Sequence, residues 1–338
     1  MEISAVGIDL AKNVFQVHGA DKHGRPALRR SLSRSKVLVF FAKLPRCLIG
    51  MEACSSSHYW ARELSALGHE VKLMPPQYVK PYVKTNKNDV ADAEAICEAL
   101  VRPTMRFVEI KTPDQQAMML IHREREGAVK DRTALINRLR ATLAEFGFAI
   151  PVGPSRMQHW FRNEYGCVEH KCSDLLKRHV MKMRQRLESI EQHIASLDTE
   201  IDQSSRRNDA CARLETVPGI GRLTASALVA SIGQGQTFKS GRQFAAWLGL
   251  VPKQNSSGGK QRLQGISKRG DGYLRRMLIH GARAVIRHMN PKRDITAWLL
   301  KLSARAHRNV VIVALANKLA RIAWALLSKG GRYQSTVN

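Results

Sequence analysis

The chain has 338 residues, with 55 Lys plus Arg against 28 Asp plus Glu and a formal net charge of +27. That length exceeds one ordinary core, so two or three domains are expected. The charge says little about fold but points to a polyanionic partner, nucleic acid before membrane. No run of 18 apolar residues occurs, and the start MEISAVGIDL lacks a basic leader, so a cytoplasmic, nucleoid-associated protein is expected. The six cysteines are scattered and need no disulfide framework. CVEHKC places His170 between Cys167 and Cys172, but no second pair lies nearby, so zinc is not favoured.

The first 110 residues alternate between strand-like and helix-like runs. ISAVGID (3–9), NVFQVHGA (13–20) and ALRRSLS (27–33) read as three strands around the turn DKHGRP (21–26). SRSKVLVFFAKL (33–44) reads as a helix with a Ser cap, CLIGMEA (47–53) as a buried strand, HYWARELSALGH (58–69) as a helix and EVKLMPP (70–76) as a strand stopped by prolines. NDVADAEAICEALVR (88–102) is a helix with Asn88 at its N-cap, and RFVEI (106–110) is one more strand. This is an α/β pattern with a mixed sheet. From 114 to 146 the pattern is helical, and IPVGPS (150–155) breaks it. Leu176, Val180, Met183, Leu187, Ile190, Ile194, Leu197 and Ile201 then form an a/d seam, read either as a coiled coil or as an amphipathic helix packed on its own domain. The remainder, from 207, is helical and basic: Lys239 to Arg308 carries 16 Lys or Arg and two acids, Asp271 and Asp294. Residues 331–338 read as a disordered tail.

Asp9 ends one buried run and Glu52 another, and Asp89 and Asp92, three apart, share a helix face. Each has a plain structural reading: a strand end open to solvent, or a favourable charge at a helix N-terminus. Together, four acids from two strands and a helix could hold two divalent cations for phosphoryl displacement, with magnesium or manganese favoured by all-oxygen ligation. VPGIGRLTASALVASIG (217–233) resembles a helix-hairpin-helix, in which Gly219 and Gly221 would let backbone N–H groups and Arg222 meet phosphate; a tight turn inside a core is the alternative. NSSGGKQ (255–261) reads as a flexible polar loop offering the hydroxyls of Ser256 and Ser257. Lys253, Lys260, Arg262, Lys268, Arg269, Arg275 and Arg276 flank it as candidate phosphate contacts.

The order GIDLAKNVF, GMEA, KNDVADAEAI, VPGIGRLTASAL, FAAWLGLVPKQNSSGG and ISKRGDGYLRRML resembles the insertion-sequence-110 class of transposases, also called DEDD or Piv-like recombinases, over nearly the whole chain. The resemblance implies a RuvC-like (RNase H-like) DEDD domain at 1–150, a coiled-coil segment at 151–206 and an all-α transposase domain with a helix-hairpin-helix-like motif at 207–330. It also implies an acidic tetrad of Asp9, Glu52, Asp89 and Asp92 that binds magnesium. The family's catalytic serine falls best on Ser257, with Ser256 as its competitor, and forms a covalent 5′-phosphoserine-type intermediate. Further implied are donor and target DNA, a structured bridge RNA as guide, and dimers that assemble into a tetramer. The expected function is insertion and excision of a mobile element. A metal-dependent, structure-selective nuclease using only the acids is the alternative enzyme, and a non-catalytic nucleic-acid-binding protein is the alternative of another class.

Overall fold

The computed structural model describes residues 3–84, 88–288 and 294–334, the backbone alone at 169, 171 and 294–297. It divides into two compact units, Met1–Pro113 and Asp114–Asn338.

The first unit is built on one five-stranded sheet. Its elements are β1 (Ala5–Asp9), β2 (Val14–Ala20), β3 (Pro26–Ser33), α1 (Val37–Ala42), β4 (Leu48–Glu52), α2 (Ser57–Ala66), β5 (Glu70–Met74), α3 (Pro76–Val79) and α4 (Asp89–Leu100). The strand order is β3-β2-β1-β4-β5. β1, β2 and β3 pair antiparallel, as short turns allow, while β1, β4 and β5 pair parallel through the crossovers α1 and α2. Alternation along the central strands sorts the side chains by face. Val6, Ile8, Phe15, Val17, Ile49, Met51, Val71 and Leu73 pack under α1 and α2, with Phe41, Trp60 and Leu64. Ala5, Ala20 and Met74 turn the other way, against Val79, Ala95, Ile96, Cys97, Ala99 and Leu100.

Two details differ from expectation. The segment at 33–44 begins as a 3-10 turn, Arg34–Lys36, and Ser33 makes no side-chain cap bond. RFVEI is not a strand: a single antiparallel bridge ties Val108 to Leu73, with the Val108 N–H donating to the Leu73 carbonyl at 2.7 Å. Phe107 faces the α4 side and Val108 the α1/α2 side, so side-chain anchoring outweighs ladder pairing at this sheet edge.

The second unit contains α5 (Pro113–Ala144), α6 (Pro154–Asn163), α7 (Gly166–Lys171), α8 (Asp174–Arg206), α9 (Asp209–Glu215), α10 (Arg222–Ile232), α11 (Gly241–Trp247), β6 (Pro252–Gln254), β7 (Leu263–Ile266), α12 (Gly272–Arg287), α13 (Asp294–Ser303) and α14 (Arg308–Lys329). The heptad run lies on α8, and Leu176, Val180, Leu187, Ile194, Leu197 and Ile201 are buried within the chain. The N-terminal half of the seam packs on Leu135, Ile136, Leu139 and Leu143 of α5 and on Met157, Trp160 and Phe161 of α6. α5 and α8 run antiparallel: Arg125, early in α5, pairs with Asp198, late in α8, while Leu135 to Leu143 pack with Leu176 to Leu187. A second core gathers α9 to α12 around α14. By length and composition α14 could cross a bilayer, yet half of its apolar stretch is buried here as the central helix of that core. The expected all-α character does not hold: β6 and β7 form an antiparallel hairpin. Tyr333 packs on the same core, and its N–H donates to Thr216 Oγ1 at 3.0 Å; of the tail read at 331–338, residues 335–338 lie outside the described residues.

Candidate active site

In the parallel pair β1–β4, Ile8 sits opposite Met51, so the next residues, Asp9 and Glu52, end adjacent strands side by side. Alternation places Asp9 on the face of Ala5 and Gly7, the face covered by α4. Gly7 makes that coverage close: a Cβ there would lie 2.3 Å from the Ala93 carbonyl oxygen and 2.4 Å from the Cys97 nitrogen. The helix backbone therefore rests almost directly on β1, and its first turn reaches the strand end. Asn88 caps that turn by accepting from the Ala91 N–H at 2.8 Å. One carboxylate oxygen each from Asp9, Asp89 and Asp92 come within 4.8 Å of one another, with Asp9 and Asp92 half-buried and Asp89 exposed.

Glu52, half-buried at the neighbouring strand end, is not one of the three. Its nearness to Asp9 is felt by Cys54, whose thiol pKa is raised by desolvation first, then by the negative charges of Glu52 and Asp9. Three carboxylates this close repel one another, and an all-oxygen donor set suits a hard divalent cation rather than zinc. The acids thus account for carboxylates in a basic protein: they offer a compact site of negative charge at one end of the sheet.

The stretch read as a flexible loop is the tip of the β6–β7 hairpin. Ser257 and Lys260 bridge across it, with the Lys260 N–H donating to the Ser257 carbonyl at 3.0 Å. Gly258 (φ 54°) and Gly259 (φ 74°) occupy both left-handed positions of a two-residue turn, which only glycine adopts without cost. The two serines differ. Ser256 Oγ accepts from Gln254 Nε2 and from the Arg262 N–H, each at 3.1 Å, and so ties the hairpin together. Ser257 is exposed at the start of the turn.

The basic residues also divide. Lys253, Lys260, Arg262, Lys268 and Arg269 are exposed around the hairpin. Arg275 is half-buried and donates from Nη1 to the carbonyls of Leu248 (2.9 Å) and Arg269 (3.0 Å), the chain entering and leaving the hairpin stem. The two passes touch as backbone: a Cβ on Gly270 would lie 1.8 Å from the Trp247 carbonyl oxygen, and one on Gly249 2.4 Å from that of Arg269. Arg276 pairs with Glu126. Arg222 pairs with Asp202 and, at 3.4 Å, with Glu215. Gly219 (φ 91°) faces α12, where a Cβ on Gly281 would lie 1.9 Å from the Gly219 carbonyl oxygen, so the tight turn serves packing; Gly221 caps α10 in open space.

One constellation has no motif in the sequence. Buried His122 of α5 bonds through Nδ1 to the Tyr273 hydroxyl at 3.0 Å and through Nε2 to Ser226 Oγ at 2.9 Å, joining α5, α10 and α12. Burial, then the charge of Arg125, lowers the His122 pKa to about 4, against the opposing pull of Asp198. Burial pushes the Tyr273 hydroxyl up to about 12. Only a helical phase argument linking His122 to the buried stripe of α5 could have flagged it. The hairpin did have a signal, the Gly-Gly pair between two short runs.

A mixed five-stranded sheet with acids clustered where its central strand meets a helix N-terminus is consistent with an RNase H-like unit. Comparison with known proteins goes further. Residues 6–148 match a family model described as "Transposase" of the DEDD IS110 type, and residues 211–296 match the model "Transposase IS116/IS110/IS902 family". A "Probable family 20 transposase" of Pseudomonas aeruginosa is 49% identical, with 99% of each chain covered. The "Transposase for insertion sequence element IS1328" of Yersinia enterocolitica is 43% identical over 97% of this chain and 98% of its own length. The "Transposase for insertion sequence element IS1111A" of Coxiella burnetii is 40% identical over 98% of this chain and 92% of its own. The chain belongs to the IS110/IS116/IS902 family of transposases, enzymes that cut and join DNA strands.

Proposed function

We propose that this transposase inserts and excises its own insertion sequence with a serine nucleophile assisted by a magnesium-binding tetrad of Asp9, Glu52, Asp89 and Asp92. The observation that carries the reading is the convergence of Asp9, Asp89 and Asp92 within 4.8 Å, with Glu52 on the adjoining strand end. Magnesium bound there would neutralise charge on the reacting phosphate and its oxygens. Ser257 is the nucleophile in this reading, because both serines are exposed but the Ser256 hydroxyl is engaged in the hairpin. Its oxygen attacks the phosphorus, the 3′-oxygen leaves with the proton balance made up by solvent, and the strand stays joined to Ser257 through its 5′-phosphate. Lys253, Lys260, Arg262, Lys268 and Arg269 would lie along the backbone of the same strand.

The remaining features fit the same activity. Residues 1–150 act as the RuvC-like domain and 207–330 as the transposase domain, whose α9–α10 turn is the helix-hairpin-helix-like element. The 151–206 segment, with the α5–α8 pair, is the coiled-coil arm through which dimers join into tetramers; its seam is occupied within the chain, leaving outward residues such as Leu120 (63% exposed) and Leu175 (72%) for assembly. The net charge of +27 suits simultaneous binding of donor DNA, target DNA and a structured guide RNA in the bacterial cytoplasm at the nucleoid.

The test uses the full chain, the RNA that copurifies with it and DNA carrying the element's junction. Ser257→Ala abolishes a covalent protein–DNA species on denaturing gels, whereas Ser256→Ala retains it in part. Continued cutting by Ser257→Ala together with loss in Asp9→Asn would replace this reading with that of a metal-dependent nuclease.

A further inference from the structure

The end of the sheet that carries Asp9 and Glu52 also carries a cleft on its opposite face. β1 ends at Asp9, β2 begins at Val14, β3 ends at Ser33 and α2 follows Glu52, so all four chain segments leave the sheet at this end. The cleft, about 550 Å³, is lined by Asn13, Arg34, Ser35, Leu38, Tyr59 and Trp60, together with Ser33. Tyr59 is 41% exposed and meets Trp60 edge-on, with ring centroids 5.2 Å apart. The guanidinium of Arg34 lies 5.0 Å from the Trp60 ring centroid and 6.0 Å from that of Phe15, and its Nη1 donates to the Lys12 carbonyl at 3.4 Å. The Arg34 N–H donates to the Asn13 carbonyl at 2.8 Å, so the cation is held from backbone and side chain alike while the residue stays exposed. Exposed Lys12 and Lys36 adjoin it, and no carboxylate lines the cleft among the described residues.

We infer that this cleft binds unpaired nucleotides of a strand whose backbone passes the acids. An exposed aromatic ring beside a pre-oriented guanidinium offers stacking surfaces to a base, and neighbouring cations and hydroxyl groups suit the sugar-phosphate chain. A duplex presents no free base face and would gain nothing from Tyr59. The location extends the proposed function: a strand crossing the sheet end from the α4 face to the α2 face lies at the acids on one side and on Tyr59 on the other. The cleft would hold the nucleotides flanking the scissile phosphate. The inference rests on the acids being the site of strand chemistry only for that placement; binding itself needs no metal.

The test measures binding of short oligothymidylate and oligouridylate by the full-length protein in EDTA, with ultraviolet cross-linking of 5-iodouracil-substituted versions. A cross-link mapping to Tyr59 is expected, with affinity reduced about tenfold in Tyr59→Ala and retained in Tyr59→Phe. Tighter binding of oligothymidylate is the expected result, since the strand flanking the scissile phosphate is DNA; tighter oligouridylate overturns that placement. Asp9→Asn should bind as the parent does, which separates this site from the chemistry: loss of cutting with intact Tyr59 cross-linking leaves the cleft standing. Unchanged affinity in Tyr59→Ala, or a cross-link mapping only to the helical unit, overturns the inference, as does a duplex competing as well as the single strand.

Discussion

Gly7→Ala should break the candidate site without touching a single carboxylate. The added Cβ would lie 2.3 Å from the Ala93 carbonyl oxygen and 2.4 Å from the Cys97 nitrogen, both backbone atoms that cannot rotate aside. Restoring ordinary contact of about 3.4 Å requires α4 to retreat by roughly 1 Å, an overpacking strain of the kind that costs about 1–3 kcal/mol. For a unit of this size that lowers the melting temperature by roughly 10 °C. The retreat carries Asp89 and Asp92 away from Asp9, which stays on β1, so the oxygens now within 4.8 Å separate. Calorimetric melting and titration with Mn2+ read the two effects: the melting point falls and metal affinity falls with it. Asp9→Asn provides the contrast, losing metal affinity while keeping the fold. Gly127→Ala, on α5 with nothing within 4 Å of its Cβ, should instead stabilise by up to about 1 kcal/mol. A Gly7→Ala protein with parental melting and parental Mn2+ affinity would refute the claim that backbone contact between β1 and α4 assembles the acids.

Arg275→Gln should loosen the hairpin stem by removing the link between the Leu248 and Arg269 carbonyls. Faster hydrogen exchange at Asn255 and Lys260, with an unchanged salt slope of DNA binding, is the expected outcome; a reduced slope would make Arg275 a phosphate contact after all. Stability should decline as pH falls from about 6.5 toward 4. His122 has its folded-state pKa lowered to about 4 by burial, so the unfolded chain takes up the proton first; the contribution is intact above the unfolded value and lost on acidification, by up to roughly 3 kcal/mol. His58, lowered to about 4 by burial and then by Lys111 and Arg62, acts in the same direction. Denaturant midpoints across that range check this, and His122→Gln should flatten the curve. DNA affinity should fall by about a thousandfold or more between 50 and 200 mM salt, the response of a protein with many phosphate contacts, as fluorescence anisotropy can measure; a flat response would contradict a broad basic interface.

Much of the first unit is legible in the sequence because its signals are local. Alternating apolar runs mark β1 to β5, and Asn88 before an acidic first turn announces α4, where its side chain caps as expected. Asp9 and Glu52 can be picked out because charged groups at the ends of apolar runs are costly without compensation, and Asp89 and Asp92 because a spacing of three puts them on one helix face. What the sequence hides is set by distant partners. Nothing near Gly7 says that the backbone of a helix more than eighty residues away will press on it. Arg222, Arg275 and Arg276 look alike in a basic stretch, yet carboxylates at Asp202, Glu215 and Glu126 and two carbonyls claim them. RFVEI has strand composition, but at the sheet edge one bridge is all it forms. The seam on α8 shows in its period, whereas its neighbours on α5 and α6 do not.

Because adjacent residues of an extended chain project to opposite sides, the twin hydroxyls at 256 and 257 are not interchangeable copies. The Gly258–Gly259 corner sets where each falls: Ser256 Oγ is tied into the hairpin, and Ser257 begins the turn. A bulky residue at either glycine would strain the left-handed corner and disturb the bonds that hold Ser256. Substitution at those two positions would therefore reshape the hairpin tip while both serines remain untouched.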